Sequence, residues 1–187
     1  RSAFTATTDG LVTGESITYT VTRESGEDVG SYAVIPSGAN EQGNYTVTYQ
    51  NGVFTITQAE TMTVDASGHN GVYDGVTYSA SATSNITDAT IEYKVGELEW
   101  TTTAPSIKDV GNVTVAVRAT HKNYKTAETS TILIVTPKAV TVTGNGGTKV
   151  FGEDDPTAFT ATTDGLVTGA SITYTVTRES GEDVGSY

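Results

Sequence analysis

Tyr45-Thr46-Val47-Thr48-Tyr49-Gln50-Asn51-Gly52-Val53-Phe54-Thr55-Ile56 reads as two β-runs meeting at a turn. Tyr45, Val47 and Tyr49 alternate with threonines, and side chains two apart share a face of a strand. Asn-Gly tolerates the positive φ angles of a two-residue hairpin loop, so the sequence predicts a hairpin turning at Asn51-Gly52. The same period recurs on either side. Ile17, Tyr19 and Val21 alternate with Thr18, Thr20 and Thr22, and Val113, Val115 and Val117 repeat the pattern. One face is then apolar and the other a row of polar groups, as the inner and outer faces of a β-sandwich require. No segment sustains a helical period, and the predicted fold class is all-β.

The organisation follows from a repeat. Ala3–Tyr32 recurs as Ala158–Tyr187, an offset of 155 residues, and the one difference is Glu15, which becomes Ala170. So close a match points to recent tandem duplication. A fainter echo lies within it: Asp28-Val29-Gly30 returns as Asp109-Val110-Gly111 and as Asp183-Val184-Gly185, and Asn44-Tyr45 is matched by Asn123-Tyr124. The expected architecture is a set of tandem small β-sandwich domains in an extended rod. Residues 1–59 form a domain lacking its first strand, 60–137 a second domain, and 138–187 the N-terminal part of the next. The joins are short. Thr131–Val135 runs through Thr136-Pro137-Lys138 into Val140 and Val142, and Gln58-Ala59-Glu60 links Ile56 to Met62. Pro137 cannot donate to a ladder and stiffens its crossover.

Composition narrows the function classes. Threonine is the commonest of the 187 residues and cysteine is absent, which excludes disulfides, thiolate nucleophiles and cysteine-ligated metals. Small secreted domains without disulfides suggest a bacterial surface protein. The net charge of −12 argues against nucleic acid and against anionic membrane surfaces as partners. Nothing in this segment is long and apolar enough for membrane insertion.

Residues 139–187, read on into 33–58 of the equivalent copy, resemble the MBG (mostly-β, glycine-rich) domains of bacterial surface proteins. The matching run is Val140–Thr143, then Lys149-Val150-Phe151-Gly152-Glu153-Asp154-Asp155-Pro156, Gly165-Leu166-Val167 and Asp183–Tyr187, with an ending like Asn44–Gly52 and Phe54-Thr55-Ile56. Residues 60–137 resemble the immunoglobulin-like repeats that accompany such domains, through Val72–Gly75, Ile91-Glu92-Tyr93, Trp100-Thr101-Thr102, Asp109-Val110-Gly111, Asn123-Tyr124 and Pro137. Phe151 departs from the usual Tyr, and Val113 from the usual aromatic. The resemblance implies a large, multi-repeat protein of the bacterial cell surface, extracellular or secreted, with no catalytic residues to carry over.

Candidate chemistry is sparse. His69 and His121 lie in turn-like contexts and are expected at the surface, and no catalytic residue is assigned. Glu97 and Glu99 fall on one face of an expected strand, but paired acids of a glycosidase need a cleft that so small a sandwich scarcely offers. Glu153, Asp154 and Asp155 put hard oxygen ligands in one loop, making calcium the alternative to a solvated acidic loop; no other cofactor is expected. Asp28 and Asp109 are expected to bond nearby backbone in their turns. An isopeptide would need a buried Lys, and Lys94, Lys108 and Lys149 are not set in apolar patterns. Trp100, Tyr93 and Tyr73 are the candidate sugar-stacking aromatics, against the simpler role of capping a small core.

The expected function is therefore a stalk or fibre segment, its partners being neighbouring repeats and other copies in a fibre. The rival is a repeated module holding host or matrix glycans weakly, through avidity. The incomplete terminal halves are expected to be a window on a continuous fibre, rather than halves completed head to tail by another chain.

Overall fold

A computed structural model describes residues 4–187, which form strands and no helix. In chain order these are β1 (Thr20–Arg23), β2 (Gly30–Ser37), β3 (Glu41–Gln42), β4 (Tyr45–Thr46) and β5 (Gly52–Ile56). Next come β6 (Val64–Ser67), β7 (His69–Val72), β8 (Tyr78–Ser79), β9 (Ser81–Ser84) and β10 (Thr90–Val95). The last are β11 (Ser106–Ile107), β12 (Gly111–His121), β13 (Tyr124–Thr136), β14 (Thr141–Gly144) and β15 (Ala161–Asp164). The sheet orders are β1-β2-β5, β10-β12-β13-β7, β11-β8, β14-β15, β3-β4 and β6-β9. The expected all-β class is thus observed.

The chain divides into two compact units. One comprises Arg1–Asp65, Thr83–Ile91 and Arg118–Glu128; the other comprises Ala66–Ala82, Glu92–Val117 and Thr129–Tyr187. In the first unit, β2 is the centre of an antiparallel sheet, pairing Thr22 with Ile35 on one side and Tyr32 with Phe54 on the other. The predicted alternation holds along β1 and its approach: Ile17, Tyr19 and Val21 are half-buried while Thr18, Thr20 and Thr22 are exposed.

The hairpin at Asn51-Gly52 does not form. Gly52 lacks a positive φ and, among the described residues, no non-glycine residue has one, so the turn chemistry that Asn-Gly permits goes unused. Instead β4 folds back on β3 across Gly43-Asn44, with Gly43 at φ 60°, and β5 pairs with β2 over Gly30–Val34. Five residue pairs with a distant strand outweigh a local turn preference.

In the second unit β7 runs parallel to β13, Leu133 opposite His69, and β8 is antiparallel to β11. Its core consists of Ala80, Tyr93, Val115, Val117, Leu133 and Val135; Val115, Val117 and Leu133 have no exposed surface. The first unit buries Met62, Val64 and Ala119. All nine of these residues lie between positions 62 and 135. Among the described residues, none in 4–58 or 138–187 is fully buried, so neither flanking segment closes a core of its own.

Candidate functional site

The join at Gln58–Glu60 meets the tight connection between β12 and β13, where only Lys122 and Asn123 separate the two strands. Ala59 forms a parallel bridge with Tyr124. Its N–H donates to Asn123 O at 3.0 Å, and its carbonyl accepts from Lys125 N at 2.8 Å. Gln58 Nε2 donates to Lys122 O at 3.3 Å, and Lys125 Nζ pairs with Glu60. The linker backbone is thereby held as a short extra strand.

A second contact enters from the bend before β2. Asn123 Nδ2 donates to Asp28 Oδ1 at 2.7 Å, while Asn123 Oδ1 accepts from the N–H of Val29 at 2.9 Å. Lys122 Nζ reaches Asp28 Oδ2 at 2.8 Å. The Asn123 amide suits this place because it offers a donor to the carboxylate and an acceptor to the peptide. The Lys122 ammonium, then the Asn123 amide, hold the Asp28 carboxyl below its ordinary value, and Asp28 in turn raises Lys122. The expectation that Asp28 bonds backbone in its own turn is therefore corrected: its carboxylate grips side chains 94 and 95 residues further along the chain. Sequence reading missed Lys122 and Asn123. The one available signal was the placing of Asn123-Tyr124 as an echo of Asn44-Tyr45.

A charged ring joins the second copy of the repeat to the segment just before it. Lys149 Nζ lies 3.0 Å from Asp155 Oδ1 and 2.6 Å from Glu182 Oε2. Arg178 Nη2 lies 2.8 Å from Asp155 Oδ2 and 2.7 Å from Glu182 Oε1. Arg178 chiefly, with Lys149, lowers the Asp155 carboxyl; Lys149 chiefly, with Arg178, lowers Glu182. Both Asp155 oxygens thus face cations. Glu153 and Asp154, the other two calcium candidates, are exposed, and the Glu153 N–H closes a turn onto Val150 O at 3.1 Å. No group of three or more potential ligands comes together among the described residues.

The remaining candidates are dispersed. Tyr93 is 7% exposed and bridges to Thr101 within the second unit's core, so its ring is not on offer to a sugar. Trp100 and Tyr73 are half-buried. Glu97 and Glu99 lie in the turn after β10 and not on a strand, which corrects the expectation of one shared strand face. His69 opens β7 and stacks flat on Tyr78, with ring centroids 3.4 Å apart. His121 closes β12, its side chain 11% exposed, with Nε2 3.2 Å from Asp88 Oδ2. Neither histidine is in a surface turn, because each ends up against an aromatic ring, Tyr78 or Tyr124.

Among curated proteins none matches the chain. The sequence matches the MBG domain family (YGX type) over residues 1–55 and 140–187, the two segments that the internal repeat relates. The chain belongs to the MBG domain family (YGX type).

Proposed function

We propose that the chain is a structural repeat segment, a stalk or fibre, of a bacterial cell-surface adhesin or extracellular filament. The observation that carries this reading is the join itself. Gln58-Ala59-Glu60 is bonded along its backbone to the Asn123 connection, and Asp28 is held there from a separate direction. Joins secured from two sides resist bending, which a spacer needs and a catalyst does not. In this reading 1–59, 60–137 and 138–187 are successive domains of one array, and neighbouring repeats are its partners. The acidic surface favours solubility and keeps adjacent fibres apart. A glycan-binding role needs an exposed aromatic platform, which the buried Tyr93 does not supply.

The test is location combined with shape. Antibodies against this segment should label intact cells of the source organism, and brief surface proteolysis should remove the signal. Labelling that appears only after lysis would sink the proposal. Small-angle scattering of the purified chain should give an elongated particle whose maximum dimension becomes less defined in Asp28→Ala/Asn123→Ala.

A further inference from the structure

His121 ends β12 and stands against the connection that carries Lys122 and Asn123. Its side chain is 11% exposed. The Asn123 N–H donates to Nδ1 at 3.1 Å, and Nε2 lies 3.2 Å from Asp88 Oδ2. An imidazole nitrogen that accepts from a peptide N–H carries a lone pair and no proton, so the single proton of the neutral ring sits on Nε2 and donates to Asp88. The neutral ring therefore satisfies both of its nitrogens and one backbone amide.

A second proton can go only to Nδ1, where it turns an acceptor into a donor. Nδ1–H and the Asn123 N–H would then face each other, and the bond between them is lost. The charged groups around the ring come from three directions. Asp88, between β9 and β10, accepts from Nε2–H in either form of the ring and favours the charged one. Asp28, in the bend before β2, lies within electrostatic reach of the ring, and the Lys122 ammonium, which opposes a second cation, is held by Asp28 at 2.8 Å. Tyr124 presents its ring at 5.2 Å, and in the join Lys125 and Glu60 pair with each other. Asp88 holds the imidazole from outside the connection, so its pull is common to both shapes of the connection. The Nδ1 bond exists in one shape only.

We propose that His121 is a proton-operated latch on the connection between β12 and β13, closed while the ring is neutral and released when Nδ1 takes a proton. The latch governs the bonds that converge on Asn123. The Asn123 carbonyl accepts from the Ala59 N–H at 3.0 Å, its side-chain oxygen accepts from the Val29 N–H at 2.9 Å, and its amide donates to Asp28 at 2.7 Å. Freed from Nδ1, the Asn123 peptide turns toward water and the three bonds weaken together. The closed state binds one proton fewer than the released one, so acid drives release. Imidazole is the side chain that takes up a proton as pH falls from ~7 to ~5. Asp28, held low by Lys122, and Glu60, held low by Lys125, keep their charges over that interval, so the latch opens before the ion pairs around it fail. The latch is a property of this connection, whatever array the chain stands in.

The test is a titration of the whole chain from ~pH 7 to ~pH 5, followed by nitrogen-15 NMR and amide hydrogen exchange. At neutral pH the His121 ring shifts should report a protonated Nε2 and a bare Nδ1. As the ring takes its second proton, the protection of the Asn123, Val29 and Ala59 amides, corrected for the intrinsic pH dependence of exchange, should fall several-fold along one curve that follows the ring. His121→Asn is the control. Its side-chain oxygen takes the place of Nδ1 and accepts the N–H two residues on, as in an Asx-turn, but it binds no proton. In His121→Asn the three amides should keep their protection down to ~pH 5. A neutral ring with its proton on Nδ1, protection that stays constant while His121 titrates, or the same loss in His121→Asn would each overturn the proposal.

Discussion

The Asn123 side-chain amide, 95 residues along the chain from Asp28, donates to that carboxylate at 2.7 Å while its oxygen accepts from the N–H of Val29. One side chain therefore satisfies a charge and a peptide group together. Asn123→Ala removes both bonds and Asn123→Asp keeps only the acceptor while placing two carboxylates in contact. In hydrogen-exchange measurements the Val29 amide should lose protection in Asn123→Ala and retain part of it in Asn123→Asp. The thermal midpoint should fall by a few degrees in either.

Acid should loosen these ion pairs in a definite window. Lys122 with Asn123 lowers the Asp28 carboxyl, Lys125 lowers Glu60, and Arg178 and Lys149 lower Asp155 and Glu182. A carboxyl whose folded value lies below its unfolded one binds fewer protons when folded, so its contribution is complete above the unfolded value and is lost as pH falls through the folded one. The ordinary values are 3.8 for the aspartates and 4.5 for the glutamates. The urea midpoint should accordingly be insensitive to these groups between ~pH 7 and ~pH 6 and decline below ~pH 4.5. All four groups are solvent-accessible, so molar salt should flatten the decline. A midpoint that rises on acidification would contradict the assignment.

Core truncation should separate the central segment from its flanks. Leu133 has no exposed surface, and Leu133→Ala should cost about 3 kcal/mol through lost burial and the cavity left behind. Val53 is 74% exposed in β5, and Val53→Ala should stay within about 0.5 kcal/mol. Equilibrium urea unfolding of the two variants gives the comparison directly.

What could be read in advance was whatever is local. The alternation of Val113, Val115 and Val117 survives as full burial of the last two because a period of two needs no knowledge of the partner strand. The Asn51-Gly52 turn failed for the opposite reason: β5 is placed by β2, and the pairing of Tyr32 with Phe54 decides the course of the chain. The site is less legible still. Asp28 meets Lys122 across 94 residues, and Lys149 meets Glu182 across 33, distances over which no periodicity or spacing rule acts.

Gly26 tests how tightly the bend before β2 is constrained. Its φ of 147° is one that side-chain-bearing residues avoid, and a Cβ there would sit 2.2 Å from the Tyr32 ring. That ring is pinned by its hydroxyl donating to Asp28 O at 2.7 Å and by Arg23 lying over it at 5.0 Å. Gly26→Ala therefore has to strain the backbone, at about 1–3 kcal/mol, and also push Tyr32 off both partners. Gly146 offers the control, since its φ is not positive and, among the described residues, nothing lies within 4 Å of its added Cβ; Gly146→Ala should be neutral or stabilise by up to about 1 kcal/mol. Urea unfolding should rank Gly26→Ala well below Gly146→Ala. Because Asp28 accepts from Tyr32 through its carbonyl and from Asn123 through its carboxylate, Gly26→Ala should also raise exchange at the Val29 amide, whereas Gly146→Ala should leave it unchanged.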